Sequence, residues 1–304
     1  MTTQAQPRRG TAPLTVFSPA KINLYLRILG KRPDGYHELE TLMLPLDFGD
    51  EITFRSAKSG LRLECDNPSL PTDTSNLALR AAKLLLEHCS SERGAKIALT
   101  KRTPLAAGLG GGSSNAATVL LGLRDLWGLH VDDATLHQLA AGLGSDVNFF
   151  LARGAALCHG RGEQIQPVPC NLSASVLLVN PGFGISTKWA YEHWAKAAAR
   201  TASSPPEVGR LLRALAEDDL PAVSRCLFNS LEAPSIRKFP VLELIKESMR
   251  DGGASGAMMS GSGATVFGLF ADVEAAETSA RNVREQFGPS MWTKVTRFAS
   301  AGPR

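Results

Sequence analysis

Between residues 16 and 29 apolar and polar side chains alternate. Ile22, Leu24, Leu26 and Ile28 fall on one face of an extended chain, and Lys21, Asn23, Tyr25 and Arg27 fall on the other. A period of two predicts a strand with one buried face. Pro33-Asp34-Gly35 then marks a turn, and further strands are predicted at Glu51–Arg55, Leu61–Cys65 and Lys96–Thr100. The period lengthens over Asn76–His88, where Leu77, Ala81, Leu84 and Leu85 share a side, and over Ser113–Trp127, where Ala117, Leu120, Leu121 and Trp127 do. Both segments are predicted helices. Asp132 or Asp133 can cap a third, carrying Leu136, Leu139, Ala140 and Leu143 and ending at Gly144. Later, Val176–Val179 reads as a short buried strand, and helices are predicted at Thr187–Arg200 and Glu207–Glu217, on either side of the loop Ala202–Pro206. An α/β unit runs from Pro240 to Phe298. Strands come early in each half and helices later, which predicts an α+β chain: a polar, flexible leader over residues 1–13, a first domain over 14–165 and a second over 166–304.

The segment that interrupts this pattern is Pro104-Leu105-Ala106-Ala107-Gly108-Leu109-Gly110-Gly111-Gly112-Ser113-Ser114-Asn115. Four glycines within five positions let the backbone turn its N–H groups toward a ligand without obstruction. Ser113 and Ser114 are suitable N-caps for the helix that follows, whose positive end favours phosphate. An ordinary tight turn has no use for so many glycines. The stretch is neither G-x-x-x-x-G-K-[ST] nor G-x-G-x-x-G, so the chain is not a P-loop enzyme and the pattern argues against a dinucleotide-binding fold. A second cluster, Met259-Ser260-Gly261-Ser262-Gly263-Ala264-Thr265, precedes the apolar run Val266–Phe270 and is read as a second wall of one phosphate site. Asp47-Phe48-Gly49 imitates the metal motif of protein kinases but lies too early in the chain, with no H-R-D loop before it.

Charge narrows the partners. The 33 Lys and Arg barely exceed the 29 Asp and Glu and are scattered, whereas a nucleic-acid binder concentrates them on a stripe or an arm. No stretch approaches the roughly 18 apolar residues of a membrane span. The five cysteines form no C-x-x-C pair and none of the six histidines forms H-E-x-x-H. Reduced thiols in a cytoplasmic protein, with no protein-held metal cluster, are the expectation. Nothing in the pattern sets an oligomeric state.

Two side chains are suited to phosphoryl transfer. Asp146, in Gly144-Ser145-Asp146-Val147-Asn148, is either a helix N-cap or a carboxylate that accepts a hydroxyl proton. Lys21 is either a solvated strand lysine or a cation that offsets charge on the transferred group. Tyr36 and His37 follow the turn, where rings can face a ligand.

Three of these segments together resemble the motifs of the GHMP small-molecule kinase superfamily: Ser18-Pro19-Ala20-Lys21-Ile22-Asn23, the loop Pro104–Asn115, and Met259–Thr265. The resemblance spans residues 15 to 298. It implies an amino-terminal domain like that of ribosomal protein S5, an α/β carboxy-terminal domain and a cleft between them. It implies Asp146 as catalytic base with Lys21 as electrostatic partner. Asn76 would contact adenine, and Lys101 with Pro104, Ala106, Ala107 and Gly108–Ser114 would hold ATP, with Mg²⁺ accompanying it. Asn23, Tyr36, His37, Asn115, Thr187 and Tyr191 would hold the substrate beside Asp146. Gly35-Tyr36-His37-Glu38, directly after the lysine motif, is a mark of kinases of the methylerythritol phosphate route to isoprenoids. It implies transfer to the 2-hydroxyl of 4-diphosphocytidyl-2-C-methyl-D-erythritol rather than to mevalonate, homoserine or a sugar. Asn148 stands where the family usually has proline.

Overall fold

A computed structural model describes residues 12–197 and 205–299. Most of the leader, the end of the predicted Thr187–Arg200 helix and most of the Ala202–Pro206 loop lie outside the described residues.

The chain opens with two long antiparallel strands, β1 (Leu14–Lys31) and β2 (His37–Ala57), joined by the Pro33-Asp34-Gly35 turn. After β3 (Leu61–Cys65) come α1 (Leu77–His88), β4 (Gly94–Thr100), α2 (Gly111–Trp127), α3 (Asp133–Leu143) and the short α4 (Val147–Ala152). A hairpin follows, β5 (Ala156–Gly160) and β6 (Gln164–Pro167), then β7 (Ser175–Asn180). The remainder is α5 (Thr187–Ala197), α6 (Val208–Ala216), α7 (Leu220–Arg225), β8 (Phe228–Asn229), α8 (Glu232–Lys238), α9 (Val241–Asp251), β9 (Gly256–Met259), β10 (Val266–Phe270), α10 (Val273–Phe287) and β11 (Trp292–Arg297).

Two sheets organise these elements. The first runs β3-β4-β2-β1-β8, with β5 on the other stretch of β2 and β6 beside β5. The second is antiparallel, β11-β7-β10-β9. One face of the first sheet receives α1–α4 through Phe54, Ile97, Ala117, Leu120 and Phe149. Its other face packs on the second sheet, where Ile22, Leu24 and Leu44 meet Val176, Leu178 and Phe267. A third cluster joins the second sheet to α9 and α10 through Val179, Ile245, Phe270 and Val283.

This layering corrects one sequence expectation. β1 has no wet face at its centre, because Lys21, Asn23 and Tyr25 are all buried. The Tyr25 hydroxyl donates to the Pro206 carbonyl at 3.1 Å. A second difference concerns β2, predicted only at its end. Its first part reads as a nearly continuous apolar run containing Pro45, which suits no single-faced strand. It forms because β2 is covered on both faces, and a register shift between Pro19 and Lys21 accommodates the proline opposite Lys21. Asp47-Phe48-Gly49 lies inside this strand, so its likeness to a kinase metal motif is coincidental.

Candidate active site

Local sequence explains how the first glycine loop is shaped. Gly110 adopts the left-handed conformation and α2 begins at Gly111. The first bond inside the helix runs from the Ser114 N–H to the Gly110 carbonyl at 2.9 Å. The amides of Gly111, Gly112 and Ser113 therefore lie ahead of the intrahelical ladder, at the positive end of the helix. This corrects the expectation that Ser113 or Ser114 caps α2. The cap is a glycine without a side-chain bond, and the serines belong to the first turn. Ser114 is fully buried and its hydroxyl bonds that of Ser18 at 2.8 Å, so it supports the loop rather than facing a ligand.

The second glycine cluster closes on the first. Gly108 has φ +77°, and a Cβ there would stand 2.1 Å from the Ser260 carbonyl oxygen. The Ser260 hydroxyl donates to the Gly108 carbonyl at 3.0 Å, and the Thr265 N–H to that of Ala107 at 3.2 Å. The side chain of Asn229, in β8, donates to the Met259 and Gly261 carbonyls from behind, at 2.8 Å each.

Lys21 stands where the loops meet. It is 3% exposed, and its ammonium donates to Asn23 Oδ1 at 2.6 Å and to the Gly108 carbonyl at 3.1 Å. Its remaining ionic neighbour is Asp146, with Nζ to Oδ2 at 3.6 Å. Asn23 is fixed in turn by donating to Thr41 Oγ1 at 2.9 Å. The solvated-lysine alternative is thereby removed. The capping alternative for Asp146 goes too. It occupies the N-cap of α4, yet its side chain accepts no capping bond and stays 35% exposed. The carboxylate is free to accept a proton from a bound alcohol.

Asp146 also marks the boundary with an aromatic wall. His37, the first residue of β2, meets Tyr191 of α5 with ring centroids 5.0 Å apart and planes tilted by 31°, and meets Trp194 edge-on at 5.7 Å. Burial holds the Tyr191 phenol well above the ordinary tyrosine range, with the negative charge of Asp146 adding to it. Burial likewise lowers the His37 imidazole, and the charge of Lys31 acts in the same direction. Tyr36 lies on the rim, 53% exposed, with the Arg161 guanidinium 4.8 Å above its ring. Glycine loops and aromatic wall line one cavity of about 1510 Å³. That exceeds the roughly 300–1,000 Å³ of a site for one small ligand, so there is room for two side by side.

The family model described as GHMP kinases N terminal domain matches residues 76–154, and that described as GHMP kinases C terminal matches 195–289. The 4-diphosphocytidyl-2-C-methyl-D-erythritol kinase of Synechococcus sp. (strain JA-3-3Ab) is 41% identical over 293 residues, covering 95% of this chain and 94% of that one. The chain belongs to this family of GHMP kinases. A crystal structure of 4-(cytidine 5'-diphospho)-2C-methyl-D-erythritol kinase superposes with TM-score 0.78 at 37% identity, covering 94% of this chain and all of that one. The homoserine kinase of Cytophaga hutchinsonii, at 22% identity and TM-score 0.75 over 98% and 97% of the two chains, shares the fold. GHMP kinases take ATP as phosphoryl donor.

In this kinase the other residues singled out by sequence fall as follows. Asn76 caps α1: its Oδ1 accepts the Ala78 N–H at 2.9 Å and its Nδ2 donates to Pro71 at 2.7 Å. One N–H and one lone pair remain for a base. Thr187, at the start of α5, bonds the Ser262 hydroxyl at 3.1 Å and so bridges to the second glycine loop. Pro104, Ala106, Ala107 and Leu109 join the wall beside Lys101. Asn115 reaches the cavity edge, but its amide donates to Ser18 and Asp50 at 2.9 Å each. Asn148 is buried, its Oδ1 3.0 Å from His137 Nδ1 and its Nδ2 donating to the Glu163 carbonyl at 3.4 Å, so side-chain bonds anchor a position where proline would restrict the backbone.

Sequence reasoning missed Asp50. Fully buried, it pairs with the Lys101 ammonium and accepts the backbone N–H groups of Arg102 and Thr103 at 2.9 and 2.8 Å. Its carboxylate holds Lys101 and the chain leading into the glycine loop. The available signal was a carboxylate between Gly49 and the alternating strand Glu51–Arg55. Thr41 and Arg161, equally missed, carry no local signal.

Proposed function

We propose that this kinase transfers the γ-phosphoryl group of ATP to the 2-hydroxyl of 4-diphosphocytidyl-2-C-methyl-D-erythritol, a step of isoprenoid precursor synthesis. The observation that carries the mechanism is an uncapped Asp146 carboxylate 3.6 Å from the buried Lys21 ammonium, between a free helix N-terminus and an aromatic wall. Asp146 accepts the hydroxyl proton as that oxygen attacks the γ-phosphorus. The bond from the γ-phosphorus to the β,γ-bridging oxygen breaks, and ADP departs with its electron pair. Lys21 orients the carboxylate and offsets charge on the transferred group. The amides of Gly111, Gly112 and Ser113 hold the phosphates, and the Asn76 side chain meets the adenine.

Mg²⁺ accompanying ATP fits this donor set. Among the described residues no group of three or more metal-ligating side chains converges. Mg²⁺ is commonly held by one or two carboxylates together with substrate phosphates. Asp146 and the Ser113 hydroxyl, both on the cavity wall, would supply the protein oxygens. The ion would neutralise charge on the triphosphate.

Tyr36, His37 and Tyr191 form the cytosine side of the cavity, with Asn23 and Thr187 toward the erythritol. The wall of aromatic side chains supports that assignment, because rings that line a cavity can offer π-faces to a pyrimidine. The test is ADP release, measured by a coupled assay across the cytidyl substrate, its uridyl analogue, unadorned methylerythritol phosphate, mevalonate, homoserine and galactose. Turnover confined to the cytidyl compound is expected. Equal turnover of the unadorned phosphate would leave only a small-molecule kinase.

A further inference from the structure

The proposed substrate carries a diphosphate between its base and its alcohol. The cavity wall between the aromatic residues and Asp146 must therefore meet two negative charges that the ATP cradle does not address. The cations there are not equally free. Lys21 is committed to Asn23, Gly108 and Asp146, and Lys101 to Asp50 with Asn115 beyond it. Lys31 and Lys188 reach the cavity as exposed side chains without a bond that fixes them among the described residues. Arg161 differs from all four.

Arg161 lies in the turn between β5 and β6 and lines the same cavity. Its backbone N–H donates to Glu163 Oε2 at 2.6 Å, and its Nε stands 3.9 Å from that oxygen. The guanidinium rests 4.8 Å above the Tyr36 ring and, among the described residues, donates no hydrogen bond. The next residue, Gly162, adjoins the other end of the site: a Cβ on it would lie 3.7 Å from Asp146 Oδ1. The turn thus joins the base end to the reacting end, and its one cation has uncommitted donors. Guanidinium matches phosphate oxygens in a bidentate fork, and stacking on a ring pre-orders it at little further entropic cost.

We infer that Arg161 is a specificity-determining residue, which binds the diphosphate of the alcohol substrate while its stack on Tyr36 keeps that cation at the junction of base and phosphate. The inference rests on the cytidyl reading above. It also gives Tyr36, though exposed, a second task as the platform of the cation.

The experiment is calorimetry with the ATP site saturated by a non-hydrolysable ATP analogue, titrating cytidine and, separately, CDP into the wild type, Arg161→Met and Arg161→Lys. Wild type is expected to bind CDP at least about ten-fold more tightly than cytidine. Arg161→Met should lose about ten- to a hundred-fold on CDP, the scale of one charge-assisted pair, and bind cytidine unchanged. Arg161→Lys, which keeps the charge without the fork, should fall between. In turnover, Arg161→Met should raise KM for the cytidyl substrate while leaving KM for ATP alone. If Arg161→Met binds CDP like wild type, or weakens cytidine and CDP together as loss of turn structure would, the inference is overturned and the cytidyl reading stands. If the wild type itself binds neither cytidine nor CDP while phosphorylating another alcohol, the cytidyl reading fails and takes the inference with it.

Discussion

At the glycine-loop end of the cavity almost every polar group is buried and committed to another; at the aromatic end the groups are half-buried or exposed and meet through their rings. Lys21, Asn23, Thr41 and Gly108 form one hydrogen-bonded chain, and Asp50, Lys101, Asn115, Ser18 and Ser114 form another beneath it. Asp146 is the partly exposed exception. Around Tyr36, His37, Tyr191 and Arg161 the contacts are ring on ring and cation on ring. Transfer requires charge fixed before the substrate arrives, since reorganisation at the moment of reaction would raise the barrier. Recognition of a base tolerates adjustment, because stacking is broad in geometry and each side chain carries its own share. The two ends should therefore respond differently to substitution, one by lost rate and the other by lost affinity.

The sharpest separation should come from Asp146→Asn. It keeps the shape of the side chain and removes the proton acceptor, so kcat should fall about 10²–10⁴-fold while ATP affinity, measured by calorimetry, stays close to wild type. A variant retaining more than about a tenth of kcat would move Asp146 out of the transfer step and into a structural one.

At the opposite end, Tyr191→Ala should act on KM. Base stacking contributes roughly 1–3 kcal/mol, about 5- to 150-fold, so KM for the cytidyl substrate should rise by that factor with KM for ATP unmoved. A loss seen in kcat alone would erase the contrast between the ends.

Gly108→Ala probes how tightly the two glycine loops must close. A side chain at φ +77°, its Cβ set against the Ser260 carbonyl, costs about 1–3 kcal/mol in strain before any movement of the loops. Weaker ATP binding, by about ten-fold, is expected in a variant that still melts cooperatively. Unaltered ATP affinity would remove this closure from the nucleotide site.

The smallest effect is a pH dependence confined to the aromatic end. His37 faces Tyr191, Trp194 and the charge of Lys31, and its folded-state pKa lies below the ordinary value near 6.5. The neutral ring is therefore the native form. Its stabilising contribution is fully present above pH 6.5 and is lost as pH falls through the depressed value, where the unfolded chain binds the proton more readily. KM for the cytidyl substrate should stay flat from pH 8 to about 7 and rise only below about 6.5, whereas His37→Gln should flatten the profile. A rise already complete at pH 7 would contradict the neutral assignment.

Much of this site was legible because its signals are local. Crowded glycines declare a backbone that must present N–H groups, and the spacing of Leu77, Ala81 and Leu85 declares a helix, in which the structure makes Asn76 the cap. Asp132 capping α3 and Gly144 ending it follow from the same short-range chemistry. The resemblance then set Lys21 and Asp146 beside those loops before any distance was known. Asp50 escaped because its deciding partner, Lys101, lies far along the chain, and the helix cap escaped for a local reason. Ser113 and Ser114 read as caps because helix starts favour serine, but the turn needs a left-handed residue, and Gly110, three positions before Ser113, supplies it.

The amino-acid sequence by itself determined most of the helices, several strands, the family and the chemical types at the site, because periodicity, capping and backbone freedom act within a few residues. Only the tertiary structure decided that Lys21 is buried, since that depends on a strand covered on both faces by elements drawn from both halves of the chain. It alone set Asp50 beneath Lys101 across the β2–β4 pairing, and Arg161 over Tyr36 across a gap of more than a hundred residues. Such neighbours are fixed by strand register and sheet closure, and neither quantity is written in the local pattern of any one segment.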